Sequence, residues 1–124
     1  MELGPPLTPN HARLREIGLA LPDAFETTQL YDHLVFKVGQ KTFLWLDDSG
    51  EAVTLKADPG LREILLQDPR FEVAAYIGRY GWFSFAMGPN PDWDEVEDLV
   101  IDSYRLSAQK RQLRALDGMS AERS

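Results

Sequence analysis

Cysteine is absent from this chain, which removes thiol nucleophiles, Cys-ligated zinc, iron–sulfur clusters and disulfide frameworks together. Histidine is nearly absent: His11 and His33 are the only imidazoles, too far apart for a His-x-x-x-His metal pair. No apolar run approaches the roughly 18 residues of a membrane span. The start, Met1 to Pro9, has no basic stretch leading into an apolar one. These absences lead to the expectation of a soluble, cytoplasmic protein. Basic residues are in the minority, with 13 Lys and Arg against 20 Asp and Glu and a net charge of −7. That mean field repels polyanions, so nucleic-acid binding requires a local basic patch.

What is present suffices for a packed core. Over 124 residues, 44% are hydrophobic and 27% charged, and a chain of this size buries about two thirds of its unfolded surface without help from disulfide or metal. No internal repeat or long linker divides it, so residues 1–124 read as one domain.

Thr8-Pro9 followed by His11, Leu14, Ile17, Gly18 and Leu21 has the cap, first-turn proline and apolar stripe of a helix, which Pro22 closes. From Ala24 to Val38 the character is extended: Leu34, Phe36 and Val38 alternate with Val35 and Lys37, as in a strand with one buried face. Gly39-Gln40 is a turn, Lys41 to Leu46 a second strand, Asp47-Asp48-Ser49-Gly50 a polar turn, and Ala52 to Lys56 a third strand. Asp58-Pro59 opens a short helix that ends at Asp68-Pro69. An extended piece within Phe71 to Ile77, a turn bracketed by Gly78 and Gly81, and a last strand from Trp82 to Met87 follow. After Gly88-Pro89-Asn90-Pro91, the stripe Trp93, Val96, Leu99, Val100, Ser103 and Leu106 predicts a long amphipathic helix capped by Asp92. Its acidic block (Asp92, Asp94, Glu95, Glu97, Asp98, Asp102) precedes a basic one (Arg105, Lys110, Arg111, Arg114), the order that the macrodipole of one helix from about 92 to about 114 favours. The tail from about Gly118 reads as frayed. Strands and helices in runs indicate an α+β fold, a small antiparallel sheet with helices mainly on one face.

Catalytic and metal chemistry find little support. No serine sits in a Gly-x-Ser-x-Gly elbow, and Ser84, between Phe83 and Phe85, reads as a buried or edge hydroxyl. His11 reads as a surface residue and His33 as a turn residue. Asp92-Trp93-Asp94-Glu95 lacks the glycine and spaced oxygens of a calcium loop. Phosphate-cradling glycine loops are missing, and Gly78-Arg79-Tyr80-Gly81 reads as a plain turn. No enzyme, metal or cofactor is therefore expected. One group remains: Tyr76, Arg79, Tyr80 and Trp82 place aromatics around a cation, with Lys37, Lys41 and Lys56 on strands of the same sheet. Aromatics beside cations can stack bases and hold phosphates; they serve equally well as sheet packing with solvent-facing lysines.

Several blocks together resemble the MmcQ/YjbR family in order and spacing. They are Leu21-Pro22-Asp23-Ala24, Phe36-Lys37-Val38-Gly39-Gln40-Lys41-Thr42-Phe43, Leu55-Lys56-Ala57-Asp58-Pro59, Asp68-Pro69-Arg70-Phe71, Tyr76-Ile77-Gly78-Arg79-Tyr80-Gly81-Trp82, and Trp93-Asp94-Glu95 through Ser103-Tyr104-Arg105-Leu106. The resemblance runs from about Leu14 to about Arg111. It implies a CyaY-like or secretion-chaperone-like α+β fold with a long C-terminal helix, no enzymatic activity, and a DNA-binding label resting on a double-wing arrangement of hairpins. The turns at Gly39-Gln40 and Ser49-Gly50 would then be the wings, with Lys37, Lys41, Lys56 and Arg79 as the nearest cations and Tyr76, Tyr80 and Trp82 for stacking. Against it, the second wing carries Asp47, Asp48 and Glu51, which meet phosphates with like charge. Two expectations follow: weak, electrostatic DNA binding, or a module that holds a protein or peptide partner, as a monomer or homodimer.

Overall fold

The computed structural model describes residues 4–30, 32–75 and 77–123, with side chains through Met119. In chain order the elements are α1 (Pro9–Gly18), β1 (Ala24–Gln29), β2 (His33–Val38), β3 (Lys41–Leu46), β4 (Ala52–Lys56), α2 (Pro59–Leu65), β5 (Phe71–Val73), a 3-10 turn (Gly78–Tyr80), β6 (Trp82–Ala86), α3 (Trp93–Ser107) and α4 (Lys110–Arg123). Each of the first three helices starts at a side-chain cap. Thr8 Oγ1 accepts from the His11 N–H at 3.0 Å, Asp58 from that of Leu61 at 3.0 Å, and Asp92 from those of Asp94 and Glu95. Pro9 and Pro59 fill the first turns, where no amide donor is needed.

The six strands form one sheet in the order β1-β2-β3-β4-β6-β5, antiparallel throughout. The register sets one line of side chains directly across it: Phe36 opposite Leu44, Leu44 opposite Leu55, Leu55 opposite Phe83. All four are fully buried. Leu14 and Ile17 of α1, Leu61 and Leu65 of α2, Val96, Leu99, Val100 and Tyr104 of α3, and Leu116 of α4 join the same core, so all four helices lie on one face of the sheet. Between Phe36 and Lys37 the register with β3 slips: Phe36 faces Leu44 while Lys37 faces Thr42. The unpaired Phe43 is a bulge residue. It lets Phe43 and Leu44, though adjacent, both enter the core at 0% exposure, and Phe43 meets the Tyr104 ring edge-on at 5.4 Å.

The α+β class and the one-sided helices stand as expected. Four particulars are corrected. The extended stretch from Ala24 to Val38 is a hairpin of two strands, β1 and β2, and between them Leu30 and Asp32 take positive φ of 46° and 65°. Val35, expected on an open face, is wholly buried between its cross-strand neighbours, Thr27 of β1 and Trp45 of β3. The long C-terminal helix breaks at Ala108, whose ψ of 153° is extended. There the Gln109 N–H is capped by Gln112 Oε1 at 2.7 Å, and the reversal brings Leu116 of α4 into the core. The basic residues Lys110 and Arg111 therefore open a second helix rather than closing the first, and helix continues through Arg123. Finally, His11 is buried at 1% exposure rather than superficial, and His33 is an exposed strand residue of β2.

Candidate functional site

With the helices gathered on one side, the other face of the sheet is the one open to a ligand. Alternation along each strand puts Thr27, Val35, Trp45, Thr54, Ser84 and Glu72 in one row across all six strands. A second row runs Phe25, Lys37, Thr42 and then, across a gap, Lys56 and Trp82. Glu72, on the edge strand, is the single acid in these rows. The rest are hydroxyl, apolar, aromatic or basic; Thr54 and Ser84 share a hydrogen bond at 3.3 Å.

The gap has a cause in α3. β3 and β4 pair only from Leu44–Leu55 to Leu46–Val53, and beyond Leu44 they part. Ser103, fully buried in the middle of α3, fills the parting: its hydroxyl donates to the Phe43 carbonyl at 2.5 Å and accepts from the Lys56 N–H at 2.9 Å. A helix serine thereby replaces a strand-to-strand hydrogen bond. Where the strands separate lies a cavity of about 300 Å³. Lys41, Thr42 and Trp45 of β3 line one side and Lys56 and Trp82 the other, while Leu106 and Ser107 of α3, Ile77 and Gln29 complete it. Gln29 is fixed there as an acceptor from the Thr42 hydroxyl at 3.1 Å.

The polar groups around this cavity are mostly donors. Among the described residues, Lys41 and Lys56 have no carboxylate partner, and neither do Lys37 and Arg79. Arg13, Arg15, Arg70, Arg105 and Arg111, by contrast, each pair with an acid. The indole N–H of Trp45 is buried without an acceptor among the described residues, an arrangement that costs about 1–3 kcal/mol. The His33 ring stands edge-on to Trp45 at 6.3 Å.

Of the seven residues expected at the site, Lys41, Lys56 and Trp82 line the cavity, and Lys37 shares its sheet face beside Thr42. Arg79 and Tyr80 stand apart on the 3-10 turn, the guanidinium stacked on its neighbour's ring at 4.8 Å and Tyr80 exposed. Tyr76 lies outside the described residues. Trp45, Thr42, Gln29 and Ser103 were not anticipated. Trp45 reads in sequence as one more apolar residue of a core strand, and only the bulge at Phe43 turns it to the open face.

The two expected wings differ. Gly39-Gln40 projects freely, Gly39 with φ of 61°. The Asp47–Gly50 turn is fastened down: Asn10, itself buried, donates from Nδ2 to the Gly50 and Gly88 carbonyls at 3.0 Å each. Asp47 Oδ1 is occupied by the N–H and hydroxyl of Ser49. This second turn is acidic and part of the body of the protein, not a free arm.

A second polar cluster, on the helical face, is closed. Glu26 of β1 receives Arg15 Nε and Nη2 at 2.9 and 2.8 Å, and His11 Nε2 at 2.9 Å. The Leu7 N–H occupies His11 Nδ1 at 3.0 Å, so Nε2 carries the ring proton toward Glu26. Burial pushes the Glu26 carboxyl up, but the hydrogen bonds from Arg15 and His11 outweigh it and hold it below its ordinary value. With its partners satisfied, this group fastens α1 to β1 rather than offering a reactive centre.

Comparison with curated proteins gives no match. The YjbR family profile matches residues 19–106, somewhat inside the limits expected from the sequence blocks. The match spans β1 to β6 and nearly all of α3, and so the elements that build the open face, the parting and the cavity. Since more than half of the chain is covered by this match, the protein belongs to the YjbR family.

Proposed function

We propose that this protein is a non-enzymatic DNA-binding protein that holds its ligand weakly, largely by charge, on the open face of the sheet. The observation that carries the reading is the placement of cations. Lys37, Lys41 and Lys56 come together on or beside the two rows, in which Glu72 is the single acid, and among the described residues they have no carboxylate partner, while the arginines of α1 and α3 are paired with theirs. A net charge of −7 therefore does not describe the field at this face. Trp82 and Trp45 add aromatic surface between the lysines, the combination that nucleic-acid-binding sheets use for stacking beside phosphate contacts. The chemistry needed is pairing and stacking, with no bond made or broken.

The test is fluorescence anisotropy of labelled DNA titrated with the protein at about 50 and 200 mM salt. If Lys37, Lys41 and Lys56 each neutralise one phosphate, affinity falls about 20-fold for a single strand and about 40-fold for a duplex over that range. A Lys37→Ala/Lys56→Ala double variant weakens binding and flattens the salt dependence by about 1.4 units of slope on a single strand. Absence of binding at the lower salt, or binding indifferent to salt, refutes the reading and turns attention to a protein or peptide partner.

A further inference from the structure

We propose that the cavity at the parting of β3 and β4 receives one unpaired nucleotide of single-stranded DNA, its base against Trp82 and its phosphate between Lys41 and Lys56, so that the protein prefers single strands to duplex. This rests on the reading of the open face as a DNA-binding surface, and adds which form of DNA it takes and where.

Three observations carry it. The cavity, at about 300 Å³, lies at the small end of ligand sites, about the size of a single nucleotide. Among the described residues its charged groups are the ammonium groups of Lys41 and Lys56, and no carboxylate lines it. Such a site selects an anion rich in acceptors. A phosphate supplies the charge, and a base supplies the flat surface that stacks on Trp82. Lastly, the means of gripping a duplex are incomplete, because the second turn is acidic and fastened to α1 through Asn10. A base within a duplex is stacked and cannot reach a cavity, whereas an unpaired base meets it without that cost.

Tryptophan fluorescence gives the test. Trp93 lies on α3, close to Arg13 and away from the cavity, so a Trp93→Phe protein reports on Trp45 and Trp82 alone. It is titrated at about 50 mM salt with a twelve-residue oligothymidylate, with the same strand annealed to its complement, and with free thymidine monophosphate. The expected result is quenching by the single strand at least 10-fold tighter than by the duplex, with the free nucleotide weaker than the strand. Trp82→Ala weakens single-strand binding about 5-fold or more, the worth of one stacked base, and leaves duplex binding unchanged. Lys41→Ala, at an exposed position whose loss spares the fold, lowers the single-strand salt slope by about 0.7, and it carries the test where Trp82→Ala is poorly folded. Equal affinity for both forms, with no effect of either variant, overturns the cavity assignment while DNA binding on the face stands. Quenching by the free nucleotide but not by the strand overturns the assignment to DNA and leaves a mononucleotide site. Failure of both strand forms to bind overturns this inference and the functional reading together.

Discussion

Replacing Ser103 with alanine removes one hydroxyl and strands two backbone groups. The Phe43 carbonyl loses its 2.5 Å donor and the Lys56 N–H loses its 2.9 Å acceptor, in a region where Ser103 itself is fully buried. An unsatisfied buried amide or carbonyl costs about 1–3 kcal/mol. A carbonyl tolerates the loss better than an N–H, so the expected destabilisation is about 2–4 kcal/mol. For a chain of this length that is a fall in Tm of about 8–16 °C. Equilibrium unfolding in urea, followed by far-ultraviolet circular dichroism, measures it. Ser107→Ala is the control: its hydroxyl donates to the Ser103 carbonyl at 3.3 Å on the same helix, and its loss costs no more than about 0.5 kcal/mol. If Ser103→Ala loses less than about 1 kcal/mol, or no more than Ser107→Ala, the strands close over the parting and the serine is not what holds them.

Three further outcomes follow from packing and protonation. Glu26 is more acidic in the folded protein than its ordinary value of 4.5, so its stabilising effect is complete above about that pH and is lost as pH falls through the folded value. Urea unfolding from about pH 6 down to about pH 3 shows this decline, and Glu26→Gln, about 3 kcal/mol less stable at neutral pH, shows a shallower one. Tyr104, buried and donating to the Pro22 carbonyl at 2.6 Å, has its phenol pushed up to about 12 by burial and then by the charge of Asp23. Its stabilisation is present below the ordinary value of 10.0 and is lost as pH rises toward 12. Absorbance at the tyrosinate band therefore shows one late-titrating phenol that Tyr104→Phe removes. Gly18→Ala drives a methyl into the fully buried Phe36 ring, and overpacking there costs about 1–3 kcal/mol by thermal unfolding; a neutral result shows that the ring can turn aside.

The helix starts were legible because caps and first-turn prolines act locally: Thr8-Pro9, Asp58-Pro59 and Asp92 each open a helix where the sequence put one. The β1–β2 reversal was not, since Leu30 and Asp32 adopt positive φ without the glycine or asparagine that ordinarily announces it. The helix break at Ala108 was hidden for another reason. Nothing in Ser107-Ala108-Gln109 forbids helix, and the turn exists because burying Leu116 outweighs continuing it. Of the residues that line the cavity, Lys41, Lys56 and Trp82 stand out in the sequence from the mixture of aromatics and cations along the strands. Arg79 was included by nearness in sequence, yet the tight turn at Gly78–Tyr80 takes its side chain onto Tyr80. Trp45 and Ser103 could not be found from pattern at all. One depends on a bulge, the other on a contact 60 residues away.

The short pairing of β3 with β4 also gives the sheet a mechanical character. β1, β2 and β3 form one plate with long registers, β4, β6 and β5 another, and the seam between them is three residue pairs long. α3 rests on both plates, as a splint does across a joint. A twist about that seam would change the distance between Lys41 and Lys56 while leaving the pairing within either plate intact, and α3, packed on β3 and β4, would resist it. Amide hydrogen exchange would record the joint directly: protection deep within each plate, and faster exchange at Lys56, whose N–H is held by a serine rather than by a neighbouring strand.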